Sequence, residues 1–133
     1  DGVHVAPEMA RLALRARLPA GGLVLVSDAM APAGTDSVEA TLDGRPLRRD
    51  GAALRRPDGG LAGSAATLLD GVHWLAGIAA IDPPRLRAFA ISARAARRGA
   101  GAGLLRRGSP ADLVWLAPDL SLRRVWRADS PLK

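Results

Sequence analysis

The chain has 133 residues, of which 48% are apolar, so it can bury a sizeable core and is not a disordered segment. It contains no cysteine, which excludes disulfides, thiolate metal sites and cysteine nucleophiles, and only 3% of its residues are aromatic, too few for the stacking surfaces of a single-strand nucleic-acid binder. The net charge of +6 is uneven, because residues 1–44 carry three bases against six acids and residues 45–133 carry sixteen against seven.

The first 30 residues predict a helix followed by a strand. Pro7 suits the first position of a helix and Glu8 its positive end, and apolar residues then recur on one face, which predicts a helix over residues 7–18. After two glycines, the apolar, branched run at 23–26 is typical of a strand buried on both faces. Asp28 follows directly, and α/β proteins place ligand-binding side chains at the carboxyl ends of such strands.

The middle of the chain predicts a small sheet and a second helix. Residues 38–56 contain Asp43-Gly44 and Asp50-Gly51, dipeptides favoured in tight hairpin turns, and predict a short antiparallel meander. After Gly59-Gly60 we expect residues 61–64 to lead into a helix with Ser64 as its N-cap. The predicted apolar face of that helix consists of Leu68, Val72, Leu75, Ala76 and Ala79.

The last third predicts a helix over residues 82–98, a glycine-alanine linker at 99–103 and two strands. The strands cover residues 113–116 and 122–126 and are joined across Pro118-Asp119. We therefore expect a boundary near residues 99–108. Residues 1–98 precede it as an α/β unit, and residues 99–133 follow as a linker with a small β module.

Asp28 and His4 are the candidate functional side chains. In one interpretation, Asp28 contacts a substrate or a metal-bound water. In the other, its carboxylate only accepts hydrogen bonds from backbone amides of its own turn. His4 precedes the first predicted helix and lies either on the same face as Asp28 or in an exposed loop. His73 falls within the second predicted helix, where we expect it to pack without a chemical role.

The glycine-rich segment and the arginines are less informative on their own. Residues 59–64 precede a predicted helix and could turn N–H groups toward an anion, but they lack the spacing and the lysine of a P-loop. Arginine pairs occur in every predicted element, which is typical of a solvated surface. No apolar run reaches the roughly 18 to 20 residues that span a bilayer, so we expect a soluble, cytoplasmic protein.

Three segments, in their order and spacing, resemble the N-acetylglucosamine-6-phosphate deacetylases of the amidohydrolase superfamily. The segments are Asp1-Gly2-Val3-His4-Val5, Leu23-Val24-Leu25-Val26-Ser27-Asp28-Ala29-Met30-Ala31-Pro32-Ala33-Gly34 and Gly60-Leu61-Ala62-Gly63-Ser64. The later run Gly108-Ser109-Pro110-Ala111-Asp112-Leu113-Val114 is similar to a strand entry common in amidohydrolases. The resemblance covers essentially all 133 residues as the C-terminal third of the family. We therefore expect a fragment, as the start at Asp1 without an initiator methionine also indicates.

The resemblance implies a fold and a set of site residues. The fold is α/β, with the C-terminal part of a (β/α)8 barrel in residues 1–98, including the meander at 38–56, and part of a small β-sandwich in residues 99–133. Asp28 matches the catalytic aspartate of the family. The substrate-binding residues implied by the matching segments are Asp1, Gly2, Val3, His4, Leu61, Ala62 and Gly63.

The implied activity is hydrolysis of N-acetylglucosamine 6-phosphate to glucosamine 6-phosphate and acetate. Asp28 acts first as general base and then as general acid for a metal-activated water. The metal is a divalent ion, with zinc expected, and its ligands have no counterpart in this chain. The resemblance also implies a homodimer that takes a small amino-sugar phosphate and binds neither nucleic acid nor membrane.

Two other functions stay open. Another amidohydrolase with a different amide or ring substrate would share the terminal-strand aspartate and the Ala-Asp-Leu-Val entry, although His4 and the Leu61-Ala62-Gly63 segment argue against it. A non-catalytic basic module would bind nucleic acid or a partner through its arginines, with an affinity that falls steeply as salt rises.

Overall fold

The computed structural model describes residues 1–16, 25–79, 107–108 and 112–127. The helix predicted for 82–98 and the linker predicted for 99–103 lie outside these ranges. The elements within them, in chain order, are α1 (Pro7–Ala16), β1 (Glu39–Leu42), β2 (Arg45–Asp50), β3 (Ala53–Arg55), β4 (Leu61–Ser64), α2 (Leu68–Ile78), β5 (Leu113–Leu116) and β6 (Leu122–Trp126).

Helix α1 begins at Pro7, as the sequence predicts. Proline costs no hydrogen bond at this position, because the first N–H groups of a helix have no partner within it. Arg11 donates from Nε to the carbonyl oxygen of Ile78 at 2.8 Å, in the last turn of α2. The guanidinium therefore lies where its charge complements the negative end of the α2 dipole, and it joins the two helices.

Strands β1 to β4 form one antiparallel sheet in sequential order, which confirms the predicted meander. Asp43 and Gly44 connect β1 to β2 with φ values of 51° and 74°, as a type I′ hairpin turn requires. Gly51 and Ala52 connect β2 to β3, and the φ of 59° at Gly51 suits the first position of a two-residue turn. The second turn thus lies one residue later than the predicted Asp50-Gly51.

The glycine-rich segment continues this sheet and does not begin a helix. It forms β4, antiparallel to β3, so the prediction that Ser64 is a helix N-cap is wrong. The reason is the turn before it. Gly59 adopts a φ of 85° and donates its N–H to the carbonyl of Arg56 at 2.9 Å, which reverses the chain and returns β4 onto β3.

Helix α2 is initiated by Thr67. The Thr67 hydroxyl accepts from the Asp70 N–H at 3.2 Å, and the Asp70 carboxylate accepts from the Thr67 N–H at 2.7 Å, so the two residues form a capping box. Gly71, Val72 and Leu75 are buried on the inner face of the helix. The other predicted members of this face are half-buried, namely Leu68, Ala76 and Ala79.

The segment before Asp28 is not the doubly buried strand predicted for 23–26. Residues 25–28 have no regular secondary structure, and Val26 is 65% exposed. A strand in the middle of a sheet needs hydrogen-bonded neighbours on both edges. Among the described residues, this segment pairs with another strand only through a parallel bridge between Ala29 and Ser64. Residues 23 and 24 lie outside the described ranges.

Apolar side chains form two separate clusters. The helix cluster contains Val72, Leu75, Leu116 and Leu120, and half-buried Leu25 packs against it. The sheet cluster contains Leu47, Leu54 and Ala65, and Met30, Ala40 and Ala62 pack against it. The segment that carries Asp28 therefore contacts the helix cluster at one end and the sheet cluster at the other.

Strands β5 and β6 pair antiparallel with the predicted bounds, and both predictions are confirmed. The strands are mostly exposed, but Leu116 and Leu120 at their turn belong to the helix cluster, so the hairpin packs against α2. His73 of α2 contacts the same turn, with 3.0 Å between its Nε2 and the carbonyl oxygen of Leu120. His73 is otherwise exposed, and its lack of a chemical role stays a prediction. The domain boundary near 99–108 stays a prediction.

The helices and sheets agree with the predicted α/β class. The barrel and the β-sandwich stay predictions, since the described residues show two antiparallel sheets and one parallel bridge. No helix in the described part of the chain has the length and apolar character needed to cross a membrane.

Candidate active site

The first four residues form a loop closed by the carboxylate of Asp1. One oxygen, Oδ1, accepts hydrogen bonds from the backbone N–H groups of Val3 and His4, each at 3.0 Å. The other, Oδ2, lies 2.5 Å from Nδ1 of His4. The Asp1 side chain is only 8% exposed, whereas that of His4 is 33% exposed. Within this pair His4 is therefore the more accessible to a ligand.

Gly2 allows this loop to pack on α2. Its φ is 77°, in the left-handed region that favours glycine. A Cβ at this position would lie 2.5 Å from Nε1 of Trp74, so the indole occupies the space that a side chain would need. The Asp-Gly-x-His pattern thus folds because the glycine permits both the turn and the approach of Trp74.

Asp28 is held through its neighbours in the chain. Leu25 lies against Gly71 of α2, where an added Cβ would be 3.4 Å from a Leu25 methyl carbon. On the other side Met30 donates its N–H to the carbonyl of Ser64 at 2.9 Å, beside the Ala29–Ser64 bridge. Asp28 has a φ of 48° and is exposed, and no hydrogen bond or ion pair engages its carboxylate among the described residues.

Met30 brings the Asp28 segment against the glycine-rich segment. A Cβ built on Gly63 would lie 2.0 Å from the Met30 sulfur, so the side chain of Met30 fills that space. Leu61 is exposed, and Ala62 and Gly63 are half-buried. The structure therefore brings together two of the three predicted site segments through one side-chain contact and one backbone bridge.

Helix α2 supports both the His4 loop and the Asp28 segment. The loop contacts Trp74 and the segment contacts Gly71, and these two positions are three residues apart. Side chains at this spacing lie on the same face of a helix, one turn apart. Neither Trp74 nor Gly71 was singled out from the sequence, because their roles depend on which segments lie against them. Ser64 was predicted only as a helix cap, and its carbonyl instead receives the Met30 N–H.

The described residues do not supply a metal site of their own. No group of three or more His, Asp or Glu side chains that could hold an ion occurs among them. Asp1 is already engaged by its own loop, and Asp28 is a single carboxylate. A catalytic zinc site takes about three protein ligands, so these residues alone do not fit one.

The arginines of the sheet lie in a different place. A surface groove of about 1030 Å³ is lined by β1, β2 and the end of β3, and none of the predicted site residues lines it. Arg55 pairs with Asp50 at 2.8 Å, and Arg49 donates to the carbonyls of Thr35 and Gly51 at 2.6 and 3.0 Å. These two arginines therefore stabilise turns of the sheet.

No protein-family model matches the chain. The N-acetylgalactosamine-6-phosphate deacetylase of Shewanella sp. (strain ANA-3) is 33% identical over 131 residues, which are 96% of this chain and 32% of that protein. A protein of Escherichia coli K12, provisionally named as an N-acetylgalactosamine-6-phosphate deacetylase, is 30% identical over 128 residues, which are 95% of this chain and 75% of that protein. The chain belongs to the N-acetylated amino-sugar-6-phosphate deacetylase family. It spans about a third of the length of the Shewanella relative.

Solved structures of amino-sugar-6-phosphate deacetylases share the fold. The N-acetylglucosamine-6-phosphate deacetylase of Pasteurella multocida matches 96% of the chain with a TM-score of 0.83 at 23% identity, which shows the fold alone. The enzyme of Thermotoga maritima matches 96% with a TM-score of 0.81 at 27% identity. A mutant of the Mycobacterium smegmatis enzyme, in complex with N-acetyl-D-glucosamine-6-phosphate, matches with a TM-score of 0.79 at 28% identity. Each match covers 34% or 35% of the longer deacetylase chain.

Proposed function

We propose that this chain is the C-terminal third of an enzyme that removes the acetyl group from an N-acetylated amino-sugar 6-phosphate. The products are acetate and the free amino-sugar phosphate. The observation that carries the proposal is the Asp28 carboxylate, exposed and without a partner among the described residues, in a chain that belongs to the deacetylase family. A carboxylate left free in this way is available to move a proton.

Asp28 is the proton carrier in this proposal. Its carboxylate takes a proton from the water that attacks the acetyl carbonyl carbon, forming the new C–O bond. It then returns that proton to the amide nitrogen as the C–N bond breaks, so that the neutral amine leaves and acetic acid remains, which releases its own proton to become acetate. One carboxylate serves both steps because it is protonated between them.

The His4 loop and the glycine-rich segment bind the sugar phosphate. His4 orients the substrate through its ring, and residues 61–63 line the sugar beside the Asp28 segment. Two contacts support this: the His4 loop and the Asp28 segment lie against one face of α2, and Met30 fills the space beside Gly63. Such positioning lowers the activation free energy of hydrolysis, because the amide of the substrate already lies beside the Asp28 carboxylate before the reaction begins.

The remaining properties also belong to the proposal. We propose that residues 1–98 form the C-terminal part of a (β/α)8 barrel, that the full-length enzyme is a cytoplasmic homodimer, and that it uses a divalent metal, with zinc expected. The described residues alone do not provide three ligands for that ion, so other residues must supply most of its coordination. The Asp28 and His4 roles above rest on these side chains alone.

The sugar is either the glucosamine or the galactosamine derivative. The two sequence relatives described above are named as N-acetylgalactosamine-6-phosphate deacetylases, whereas the solved structures are named as N-acetylglucosamine-6-phosphate deacetylases. The two sugars differ in the configuration at one ring carbon, so a hydroxyl contact decides between them. The ratio of kcat/KM for the two 6-phosphates, measured with the full-length protein, assigns the substrate.

The decisive experiment replaces Asp28 by asparagine in the full-length protein. Asparagine tolerates a positive φ nearly as well as aspartate, so Asp28→Asn keeps the backbone and removes the base. We expect kcat to fall by roughly 10² to 10⁴ with little change in KM, measured as acetate released from each sugar phosphate. Asp36→Asn is the matched control, because Asp36 is an exposed loop carboxylate outside the three segments of the site. An undiminished kcat for Asp28→Asn contradicts the proposed role.

A further inference from the structure

The Asp1 carboxylate is buried and engaged mainly within its own loop. Its Oδ1 accepts two backbone N–H groups and its Oδ2 contacts the imidazole of His4, and the side chain is 8% exposed. Both oxygens of this carboxylate therefore contact residues of its own loop. The geometry therefore does not support a direct contact between Asp1 and the substrate. It indicates that Asp1 acts by holding His4.

We propose that Asp1 is a positioning residue that fixes the imidazole proton of His4 on Nδ1 and leaves Nε2 to contact the substrate. The inference rests on the proposed function, in which His4 binds the sugar phosphate. An ionised carboxylate only accepts hydrogen bonds, so the ring nitrogen 2.5 Å from Oδ2 must carry the hydrogen. The hydrogen bond of one ring nitrogen thus determines what the other can offer a ligand.

The loop makes this arrangement rigid. The positive φ of Gly2 turns the chain so that the N–H groups of Val3 and His4 point back at Oδ1, which fixes the rotation of the carboxylate. Trp74 covers Gly2 on its other side. Oδ2 consequently has one orientation, and it faces His4.

Asparagine at position 1 separates the two oxygens chemically. The N–H groups of Val3 and His4 keep the side-chain oxygen of the asparagine at the position of Oδ1. The NH₂ group then takes the position of Oδ2 and faces Nδ1 of His4. An NH₂ group donates, and the neutral ring must then accept at Nδ1 and carry its proton on Nε2. Asp1→Asn therefore reverses the His4 tautomer with little change of shape.

Nitrogen-15 NMR on the full-length protein tests this without any need for activity. The signals that disappear in His4→Gln are those of the His4 ring. At a pH where this ring is neutral, we expect the wild-type His4 to carry its proton on Nδ1 and the Asp1→Asn variant to carry it on Nε2. The indole N–H signal of Trp74 reports whether the loop stays packed on α2. A wild-type His4 that is protonated mainly on Nε2 overturns the proposal, whatever the variant does.

Kinetics of the full-length enzyme provide the functional readout. We expect Asp1→Asn to raise KM by about 10-fold to 100-fold with kcat nearly unchanged, by analogy with the loss caused by removing the partners that orient metal-binding histidines. The double variant Asp1→Asn/His4→Asn should bind no more weakly than His4→Asn alone, because both changes remove one contact. Asp36→Asn should leave KM unchanged. A fall in kcat at constant KM, or additive effects in the double variant, overturns the positioning role.

The two proposals fail in different ways. A wild-type enzyme that releases no acetate from either sugar phosphate refutes the proposed function, while the tautomer measurement still reports on Asp1. Conversely, an active enzyme whose His4 tautomer is unaffected by Asp1→Asn refutes the positioning role alone.

Discussion

Gly63 and Met30 show how a single side chain connects two segments of the site. The sulfur of Met30 occupies the place of the missing Cβ at Gly63, and the same methionine donates its backbone N–H to Ser64. Methionine suits such a contact because its unbranched side chain fills irregular spaces. The placement of Asp28, two residues before Met30, therefore depends on the absence of a side chain in β4.

An alanine at position 63 should displace Met30. A Cβ 2.0 Å from the sulfur forces the side chain to move, and such overpacking costs about 1–3 kcal/mol of the free energy of unfolding. Urea denaturation of Gly63→Ala, Met30→Ala and the double variant measures the coupling between the two positions. The double variant should lose less stability than the sum of the single ones. Gly77→Ala is the control, because its Cβ meets nothing within 4 Å and helical alanine should instead stabilise α2.

Part of the site could be predicted at the level of residues. Asp28 and His4 stand out because of their chemistry and their places beside predicted elements, and the structure puts their segments on one face of α2. The contacts that hold them could not be predicted. Trp74 on Gly2 and Met30 on Gly63 join residues far apart in the sequence, and a single sequence records only that the glycines lack side chains. The hydrogen bonds of Asp1 to its own loop likewise depend on the turn at Gly2.

The elements differ in how far local signals determine them. The Asp43-Gly44 and Asp50-Gly51 pairs predict the hairpins β1–β2 and β2–β3, the second with its turn one residue too early, and short apolar runs predict β5 and β6. Strand β4 was mistaken for a helix entry because Leu61-Ala62-Gly63-Ser64 has no period of its own, and its pairing with β3 is a tertiary contact. The strand predicted at 23–26 needed neighbours that the described residues do not supply.

The capping box predicts a measurable loss at the start of α2. Thr67→Ala removes the acceptor of the Asp70 N–H and should lower the free energy of unfolding by about 0.5–2 kcal/mol, as N-cap substitutions do. Ser64→Ala is the informative comparison, because Ser64 was the predicted cap. Its hydroxyl accepts instead from the Ala66 N–H at 3.1 Å, within the loop before the helix. A full loss of helicity in Ser64→Ala with none in Thr67→Ala would contradict the assignment of the cap.

Asp70 gives the cap a pH dependence. The backbone N–H of Thr67, more than any other group, holds the pKa of Asp70 below its ordinary value of 3.8. Because the folded pKa is lower than the unfolded one, the ionised carboxylate stabilises the fold above pH 3.8, and this stabilisation is lost as the pH falls through the folded pKa. Asp70→Asn should therefore be less stable than the wild type at neutral pH, and the difference should shrink in acid. Urea denaturation across the acidic range, with Asp36→Asn as the control, measures it.

The whole molecule has two apolar clusters and much exposed apolar surface. Val26, Val38, Trp115 and Val125 are each more than half exposed, and the β5–β6 hairpin is covered mainly at its turn. A two-stranded hairpin is marginal in water unless another element packs against it, and here α2 provides that contact only at one end. Surfaces of this kind mark places where protein associates with protein.

We expect the isolated 133-residue chain to associate in solution. Its exposed apolar strands should pair with further copies, and light scattering at increasing concentration should show species larger than the monomer. Val125→Lys places a charge on exposed β6 and should shift this equilibrium toward the monomer, whereas Arg123→Lys on the same strand should not. A chain that stays monomeric throughout would show that its exposed strands do not pair.

The attachment of the Asp28 segment to both clusters sets an order of events on heating. Leu25 contacts the helix cluster and Met30 the sheet cluster, while no hydrogen bond or ion pair from the described residues holds the carboxylate of Asp28 between them. Local unfolding of either the helix cluster or the sheet cluster frees the Asp28 segment. The probability that this segment is displaced is therefore about the sum of the two unfolding probabilities. The carboxylate therefore loses its place more often than the helix or the sheet melts. Thermal inactivation should consequently precede the loss of secondary structure, and the interval between the two reports how firmly Leu25 and Met30 hold.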